Sequence, residues 1–451
     1  MGNVIKLRKG LSINLKGRAK KETVKLGQSA EYTINPSDFV GVVPKVIVHE
    51  GEHVKAGETL FVNKNCPEVK FSSPVSGIVN AVERGERRKV LGIHIQADAV
   101  QEFIDFGIKD IASLKKEEIV SSLLDAGLFG FINQLPYAVS TTPTKDPKGI
   151  FVSTLRDMPL ANDFSYELEG CEDDFQTGLT ALSKISPLYL NIGKEQQKNK
   201  SLALAKDVTI TVFDGPCPAG NVGVHVNHIS PVNKGEVVWT VDPSAVIFFG
   251  RLFNTGMVKM KKRIAVAGSG ITNPSYVETL IGTPLGAILE GNLVRTDHIR
   301  VINGNPLTGK KDSLAGFLGA HTSEITVIPE GDNVNEILGW MLPRLNQYSA
   351  YRSYFSWLQG KNKEYDLDAR IKGGERHMIM GGEYNKVLPM DIYGEQLIKA
   401  IIAGDIDKQE QLGIYEVSPE DFAVAEFVDS SKLELQRIVR HGLDVLRKEN
   451  A

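Results

Sequence analysis

The sequence predicts an α+β chain of several domains: a small all-β unit, an α/β unit with a largely parallel sheet, a second small β unit and a helical C-terminal region. Three observations carry that reading. The chain has 451 residues, more than one hydrophobic core usually serves, so about three or four domains of ~100–150 residues each are expected. From Phe39 to about Ile95 short apolar runs are punctuated by Gly and Pro every few residues, the pattern of small β barrels or sandwiches. From about Ile104 the pattern becomes strands alternating with helices, and from about Gly331 it becomes mostly helical. The expected division is 1–100, 101–260, 261–330 and 331–451.

In the first unit, Val46–Val48 precede the GEHVKAGE turn, and Thr59–Val62, Val69–Phe71 and Gly77–Val79 follow as strands. Gly51, Gly57, Ser73, Pro74 and Gly77 stand where a lipoyl or biotinyl carrier domain has its scaffold glycines and its closing Ser-Pro-x-x-Gly turn. The segment therefore resembles a barrel-sandwich hybrid. Such a domain presents a modified lysine at a hairpin tip. Counting inward from either side puts that tip at Cys66 or Pro67, neither of which can carry the group, and Lys64 and Lys70 are displaced. The expectation is a scaffold without an arm.

In the second unit, DIASLKKEEIVSSLLDAG has Ile111, Leu114, Ile119, Val120, Leu123 and Leu124 near helical spacing, with Gly127 as the stop. Gly149–Thr154 and Val208–Gly215 read as buried strands, and Thr177–Ile185 reads as helix. The third unit opens at Lys262 with a strand that ends in GSGITNP, a Gly-x-Gly turn whose Asn273 stands where the third glycine of a dinucleotide loop would be. A turn without a ligand is expected there. In the fourth, SPED at Ser418 is a helix start with Pro at the first helical position. From Lys432 onward, Leu433, Ile438, Val439, Leu443 and Leu446 form a stripe expected to dock on the body.

Charge and cysteine content exclude several classes. The formal charge is −3, so there is no general attraction for nucleic acid. Cys66, Cys171 and Cys217 have no short spacing, which argues against a disulfide framework and fits a reducing compartment. The N-terminus has no apolar core of a signal peptide, and Lys6 stands where a myristoylation signal wants Ser or Thr. No apolar run approaches the ~20 residues of a spanning helix, so a soluble chain is expected. His225 and His228 are three apart; without acidic or cysteine partners nearby except Cys217, satisfied loop histidines are a better reading than a zinc site. The basic run Arg84–Lys89 fits a solvated hairpin turn, or a patch facing a membrane or a partner.

VKFSSPVSGIV at Val69, IFVSTLRDMPLA at Ile150, HISPVNKGEVVWTVDPSAVIFFGRLFNTG at His228, GSGITNP at Gly268, VINGNPLTG at Val301 and AIIAGDIDKQEQLGIYEVSPEDFA at Ala400 resemble, in order along the chain, the A subunits of sodium-translocating NADH:quinone oxidoreductases, the Nqr complexes. They are relatives of the Rnf complex C subunit and of the flavin-binding subunit of respiratory complex I. The resemblance implies a Rossmann-like second unit and an SLBB β-grasp third unit. It further implies a peripheral subunit on the cytoplasmic face of the inner membrane, with the Nqr B to F subunits as partners, the membrane-embedded B subunit above all. The complex uses NADH, flavins, iron–sulfur centres and quinone.

The same resemblance marks departures. The flavin-binding relatives cradle phosphate on a glycine-rich loop of the type GRGGAGFP, where bare backbone N–H groups approach the anion. The matching stretch here is AGLFGFINQLPY, Ala126–Tyr137: Gly127 and Gly130 survive, while Phe131, Ile132, Asn133 and Gln134 replace the central glycines. Where the relatives carry an acidic ECEP loop, Arg156 and Met158 stand before Pro159. After Cys217 there is no cysteine to hold an iron–sulfur cluster. The expectation is a subunit that binds no cofactor of its own; the alternative is an NADH- or flavin-binding electron-input subunit like the Rnf relative. The filled cradle offers a candidate quinone contact at Phe129, Phe131, Gln134, Pro136 and Tyr137, beside Leu135, with Gln134 and Tyr137 as donors to a quinone carbonyl. The competing reading is that these aromatics are core.

Overall fold

The computed structural model describes residues 3–334, 341–360, 362–378 and 382–450. Within them four β-sheets carry the fold. Two form the first unit: a four-stranded sheet of Glu31–Ile34, Val90–Ala97, Gly77–Arg84 and His53–Val54, and a three-stranded sheet of Pro44–Val46, Thr59–Asn63 and Cys66–Ser72. Inward residues fill the space between them, with Leu60, Phe61, Val69, Phe71, Val79, Ile93 and Ile95 buried. Phe61 and Phe71 stack at 4.4 Å between ring centroids, and Phe39 packs on Phe71 at the same distance.

The hairpin tip departs from the position that counting along the sequence gives. Its two turn residues are Lys64 and Asn65, because Asn63 pairs with Cys66 and the register slips between Val62 and Asn63. The slip leaves Pro67, which has no N–H to give, outside the paired ladder. Cys66 and Pro67 thus lie past the turn, and the exposed residues at the tip are Lys64 and Asn65.

The α/β unit has a seven-stranded sheet in the order Asn3–Lys6, Thr209–Asp214, Leu188–Gly193, Ile150–Ser153, Val238–Val241, Ile132–Leu135, Val139–Ser140. The first five are mutually parallel; Ile132–Leu135 runs antiparallel to them, and Val139–Ser140 runs antiparallel to Ile132–Leu135. Helices Glu172–Ser183 and Pro243–Thr255 pack on it, the second with ten of its thirteen residues buried, as its apolar run AVIFFG dictates. The helix read between Asp110 and Gly127 is shorter than its apolar stripe, Lys116–Asp125, with Gly127 just beyond it at φ +69°.

The first 25 residues do not belong with the β unit that follows them. Asn3–Lys6 is the edge strand of the α/β sheet, Gly17 O accepts from the N–H of Gly268 at 2.9 Å, and Thr23–Lys25 adds an edge strand to the third unit. Both strands are short and mostly exposed, so they show no alternation a sequence could display, and their partners lie some 200 residues away.

The third unit is a six-stranded sheet, Lys310–Asp312, Ile299–Asn303, Glu324–Pro329, Lys261–Ala267, Ser275–Leu280 and Thr23–Lys25, covered by the short helix Leu285–Leu289. The fourth is helical later than the sequence suggests. Among the described residues from 341 to 393 only short 3-10 turns occur, and α-helices begin at Gly394–Ile402. Gly360, Gly373 and Gly382 all take positive φ in that stretch, which no helix accommodates. The last helix, Leu435–Glu449, docks as its stripe requires, with Leu435, Val439, Leu443 and Leu446 buried. Ser418 and Asp421 form a reciprocal capping box.

Candidate functional site

A cavity of about 570 Å³ opens at the carboxyl ends of strands Ile150–Ser153 and Val238–Val241. These neighbours mark the point where the parallel order reverses, since the chain runs from Ile150–Ser153 to one side and returns on the other. Open α/β sheets place ligands at such a crevice. The walls come from all four units: Asp38 and Val40 from the first, Leu155–Met158 and Asp242 from the α/β unit, Asn303–Asn305, Gly319 and His321–Glu324 from the third, and Ser418–Glu420 with Arg440 from the C-terminal region.

The floor is a network of charges. Arg156 Nη1 donates to Glu167 Oε2 at 2.7 Å, and its Nη2 lies 3.1 Å from both carboxylate oxygens of Asp242. Ser244 Oγ donates to Glu167 Oε1 at 2.6 Å, and Asn162 Nδ2 donates to Glu167 Oε2 at 2.8 Å. Burial works against the charge of Arg156, but Asp242, Glu167 and Glu324 outweigh it and hold the guanidinium protonated. Burial likewise favours a protonated Asp242, yet Arg156 and Lys262 keep its carboxyl below the ordinary range. Glu324 is pushed up by burial, and buried Lys262 is pushed down.

Both helix N-termini beside the cavity are occupied by the protein's own carboxylates. Asp242 caps Pro243–Thr255, accepting from Ser244 N at 2.9 Å. Asp421 stands over the start of helix Val222–Ile229: a Cβ on Gly223 would lie 2.2 Å from Asp421 Oδ2, so only glycine admits the carboxylate there. Asn221 Nδ2 ties the two together, donating to Asp421 Oδ1 at 3.2 Å. A phosphate, which would seek these same termini, meets anions already in place.

One charge on the wall lacks a counterpart. Neither carboxylate oxygen of Asp157 makes a hydrogen bond of ordinary geometry, although both are buried. Burial pushes its carboxyl up to about 6, with partial relief from the nearby backbone of Gly220 and Ala219. Glu420 is raised to about 7 by burial and by Asp421 and Asp242. A cleft with desolvated, titratable carboxylates has the physical makeup of a functional site.

The five residues read from the sequence as a quinone contact do not line this cavity. Phe129 is buried edge-on against Trp239, and Phe131 lies in the core between Phe39, Phe248 and His321. Pro136 is buried after a cis peptide. Gln134 accepts from Thr141 Oγ1 at 2.8 Å, and the carbonyl of Tyr137 accepts from Arg440 Nη2 at 2.6 Å; both side chains are partly exposed. Strand alternation explains the placement: Asn133 and Leu135 face the cavity, so Gln134 faces away. The surviving glycines serve packing rather than a cradle. A Cβ on Gly130 would meet the Phe71 ring at 2.2 Å, and one on Gly127 would meet Ser72 N at 2.7 Å. The stretch is thus pressed against the first unit's hairpin, and the residues present do not fit a flavin phosphate.

His225 and His228 lie on helix Val222–Ile229 rather than in a loop, each bonded to a backbone carbonyl, Ala219 O at 2.8 Å and Val224 O at 2.9 Å. Among the described residues no group of three or more His, Cys, Asp or Glu is placed to hold a metal ion. No helix among them is long and apolar enough to cross a membrane.

Three family models match in chain order. They are the NqrA N-terminal barrel-sandwich hybrid domain over residues 5–98, the NqrA second alpha/beta domain over 114–258 and the NQRA C-terminal domain over 263–313. The A subunit of the Na(+)-translocating NADH-quinone reductase of Hahella chejuensis is 32% identical over 450 residues, 99% of this chain and 100% of that protein. This chain belongs to the NqrA family, the A subunits of Na(+)-translocating NADH-quinone reductases. The NqrA proteins of Neisseria meningitidis serogroup B and of Haemophilus influenzae are 32% and 33% identical over 99% of this chain and 100% of each relative. Among solved structures, a chain of an NAD+-reducing [NiFe]-hydrogenase aligns at a TM-score of 0.36 with 14% identity, covering 49% of this chain and 48% of that one.

Sequence reasoning does not single out Asp157, Asp242, Glu324 or Glu420. Asp157 sits inside the LRDMPL loop, where only its neighbours Arg156 and Met158 match the relatives' acidic positions. Asp242 has a usable signal in Asp242-Pro243, a helix cap before an apolar run. Glu324 has none, because the cavity forms only when the four units meet.

Proposed function

We propose that this chain works as the A subunit of a sodium-translocating NADH:quinone oxidoreductase. It is held peripherally on the cytoplasmic face of the membrane among the B to F subunits, beside the membrane-embedded B subunit, and serves assembly and the quinone-reducing end of the complex without a redox centre of its own. The observation that carries this reading is the colinear likeness to NqrA proteins from end to end of both chains. The lack of a redox centre is supported by three features: the glycines of Ala126–Tyr137 are covered by Phe71 and Ser72, both cavity-side helix termini hold internal carboxylates, and Arg156 is consumed by Glu167 and Asp242. A quinone contact from Ala126–Tyr137 falls to Gln134 and Tyr137, whose side chains reach the surface, with Phe129, Phe131 and Pro136 supporting them from within.

The test is a tagged pull-down from gently solubilised membranes, followed by assay of sodium-stimulated NADH:quinone reductase in the eluate. Co-purification of membrane proteins of the complex with sodium-dependent activity is expected, and the isolated chain is expected to be inactive. A chain that elutes alone from cells possessing that activity overturns the assignment. The cavity keeps the NADH- or flavin-binding reading as a rival. Titration of the purified chain with NADH and with FMN separates the two: no saturable binding in the micromolar range is expected, and saturation by either would restore the electron-input role.

A further inference from the structure

Residues 341–360 turn the usual polarity of a folded segment inside out. The segment is anchored to the body. Tyr348 packs edge-on against Tyr365 at 5.2 Å between ring centroids and against Phe427 at 5.7 Å. Lys363 Nζ donates to Leu345 O at 2.8 Å, and Phe355 N–H donates to Pro343 O at 3.1 Å. The 3-10 turn Phe355–Gln359 then buries Ser356 to 1% exposure while Phe355 and Trp357 on either side stand 54% and 44% exposed, and Leu358 follows at 65%. Met341, Leu342 and Leu345 are exposed as well. Single exposed apolar side chains are ordinary; so many large ones on one short anchored segment mark a surface that something covers.

Charge says what covers it. From residue 337 to 363 the sequence has Arg344, Arg352, Lys361 and Lys363 and no Asp or Glu, in a chain whose formal charge is −3. The Arg352 guanidinium lies 5.0 Å over the Trp357 ring and that of Arg344 5.8 Å over Tyr354. Cations are thus held beside the apolar tips rather than away from them. A second copy of this chain would set basic side chains against basic ones. Trp, Tyr, Phe and Leu interleaved with Arg and Lys alone is the composition that partitions into an anionic headgroup layer. We propose that residues 341–358 seat the chain on an anionic lipid bilayer, with Phe355, Trp357 and Leu358 entering the headgroup region and Arg352 meeting lipid phosphate. This contact goes beyond the reading of the complex and does not rest on it, since the full chain alone can be tested.

The experiment is co-sedimentation of the full chain with vesicles of phosphatidylcholine alone or of phosphatidylcholine with phosphatidylglycerol, at low and high salt. The expected result is partition onto the phosphatidylglycerol vesicles at least about tenfold stronger than onto the neutral ones, lost at high salt. A blue shift of tryptophan emission should accompany it in a Trp340→Phe background and vanish when Trp357→Phe is added, since the remaining Trp239 is buried. Arg352→Gln should weaken partition about fivefold, and Phe355→Ser/Trp357→Ser/Leu358→Ser should abolish it. No association with anionic vesicles at low salt overturns the proposal, as does association that survives the triple variant. If the chain ignores vesicles and the triple variant fails to enter the assembled complex, the surface docks a protein and the lipid assignment is wrong.

Discussion

The cavity and the segment 341–358 break the same rule in opposite directions. The cavity buries charge, and the segment exposes apolar surface. They differ in how the cost is met. Around Arg156 nearly every charge has a partner: Glu167, Asp242, Ser244 and Asn162 close a network in which the charged groups are paired, although Asn162 Oδ1 has no hydrogen-bond partner. Its stability cost is concentrated at Asp157, whose buried oxygens have no ordinary hydrogen bond. The segment, by contrast, asks nothing of the folded state, because its outward side chains touch little and the anchor at Tyr348 does not depend on them. Buried charge therefore costs folding free energy and exposed apolar surface costs solubility, and variants at the two places should read out differently.

The largest effect is expected at Arg156. Arg156→Met keeps the length of the side chain and removes the charge, leaving Glu167, whose side chain is 1% exposed, and Asp242 uncompensated. Removing one partner of a buried ion network costs about 3–5 kcal/mol. Urea unfolding of the full chain should show that loss. A loss under ~1 kcal/mol would mean that Lys262 takes over the compensation and that the network is less tightly built than its geometry implies.

An effect of opposite sign is expected at Asp157. In the folded chain its carboxyl titrates near 6, against 3.8 for an ordinary aspartate. Below about 4 both folded and unfolded chains hold the proton and nothing is lost. As pH rises from about 4 to about 6 the unfolded chain releases it first, so folding stability falls through that window and the full penalty applies at neutral pH. Asp157→Asn should therefore stabilise the protein at pH 7 by about 1–3 kcal/mol, and the gain should disappear near pH 4. A gain that is independent of pH would assign the effect to packing instead. Retention of a destabilising carboxylate on the cavity wall is itself a reason to think that the carboxylate is used.

The contrast also divides what the sequence shows from what it hides. Local pattern is enough for the two-sheet first unit, the parallel strands at Ile150 and Thr209, the capping box at Ser418 and the docked stripe of Leu435–Glu449. Each of these is set by residues a few positions apart. What depends on distant partners is not legible. The strands Asn3–Lys6 and Thr23–Lys25 pair with Thr209–Asp214 and Ser275–Leu280, more than 200 residues along the chain, and the cavity exists only where Asp157, Glu324 and Glu420 converge from three different units. A register slip moves the hairpin tip, and Lys64 sits in the turn after all. Intact mass of the native chain tests that correction: no lipoyl or biotinyl adduct is expected, because the flanks Asn63 and Asn65 lack the acid or methionine that carrier-modifying enzymes read. Phe129 and Phe131 illustrate a different limit. Aromatic residues in a filled loop look the same in sequence whether they line a pocket or plug it, and the side they take is decided by Phe39, Phe248 and Trp239 from elsewhere in the chain.

The smallest effect on folding is expected at the exposed segment, and its smallness is the point. Phe355→Ser/Trp357→Ser/Leu358→Ser removes three large apolar side chains, a change that would cost several kcal/mol in a core. Here each is at least 44% exposed, and substitutions at such positions usually stay within about 0.5 kcal/mol apiece. Thermal unfolding of the triple variant should overlay that of the parent chain, while its tendency to associate in dilute buffer falls. A clear drop in unfolding temperature would show that these side chains pack against the body in solution, and the comparison with the cavity would collapse, since both regions would then be ordinary contributors to the fold. Unchanged stability with lost surface binding would separate them cleanly: the cavity carries charge that the fold must balance, and the segment carries apolar surface that only a partner outside the chain can cover.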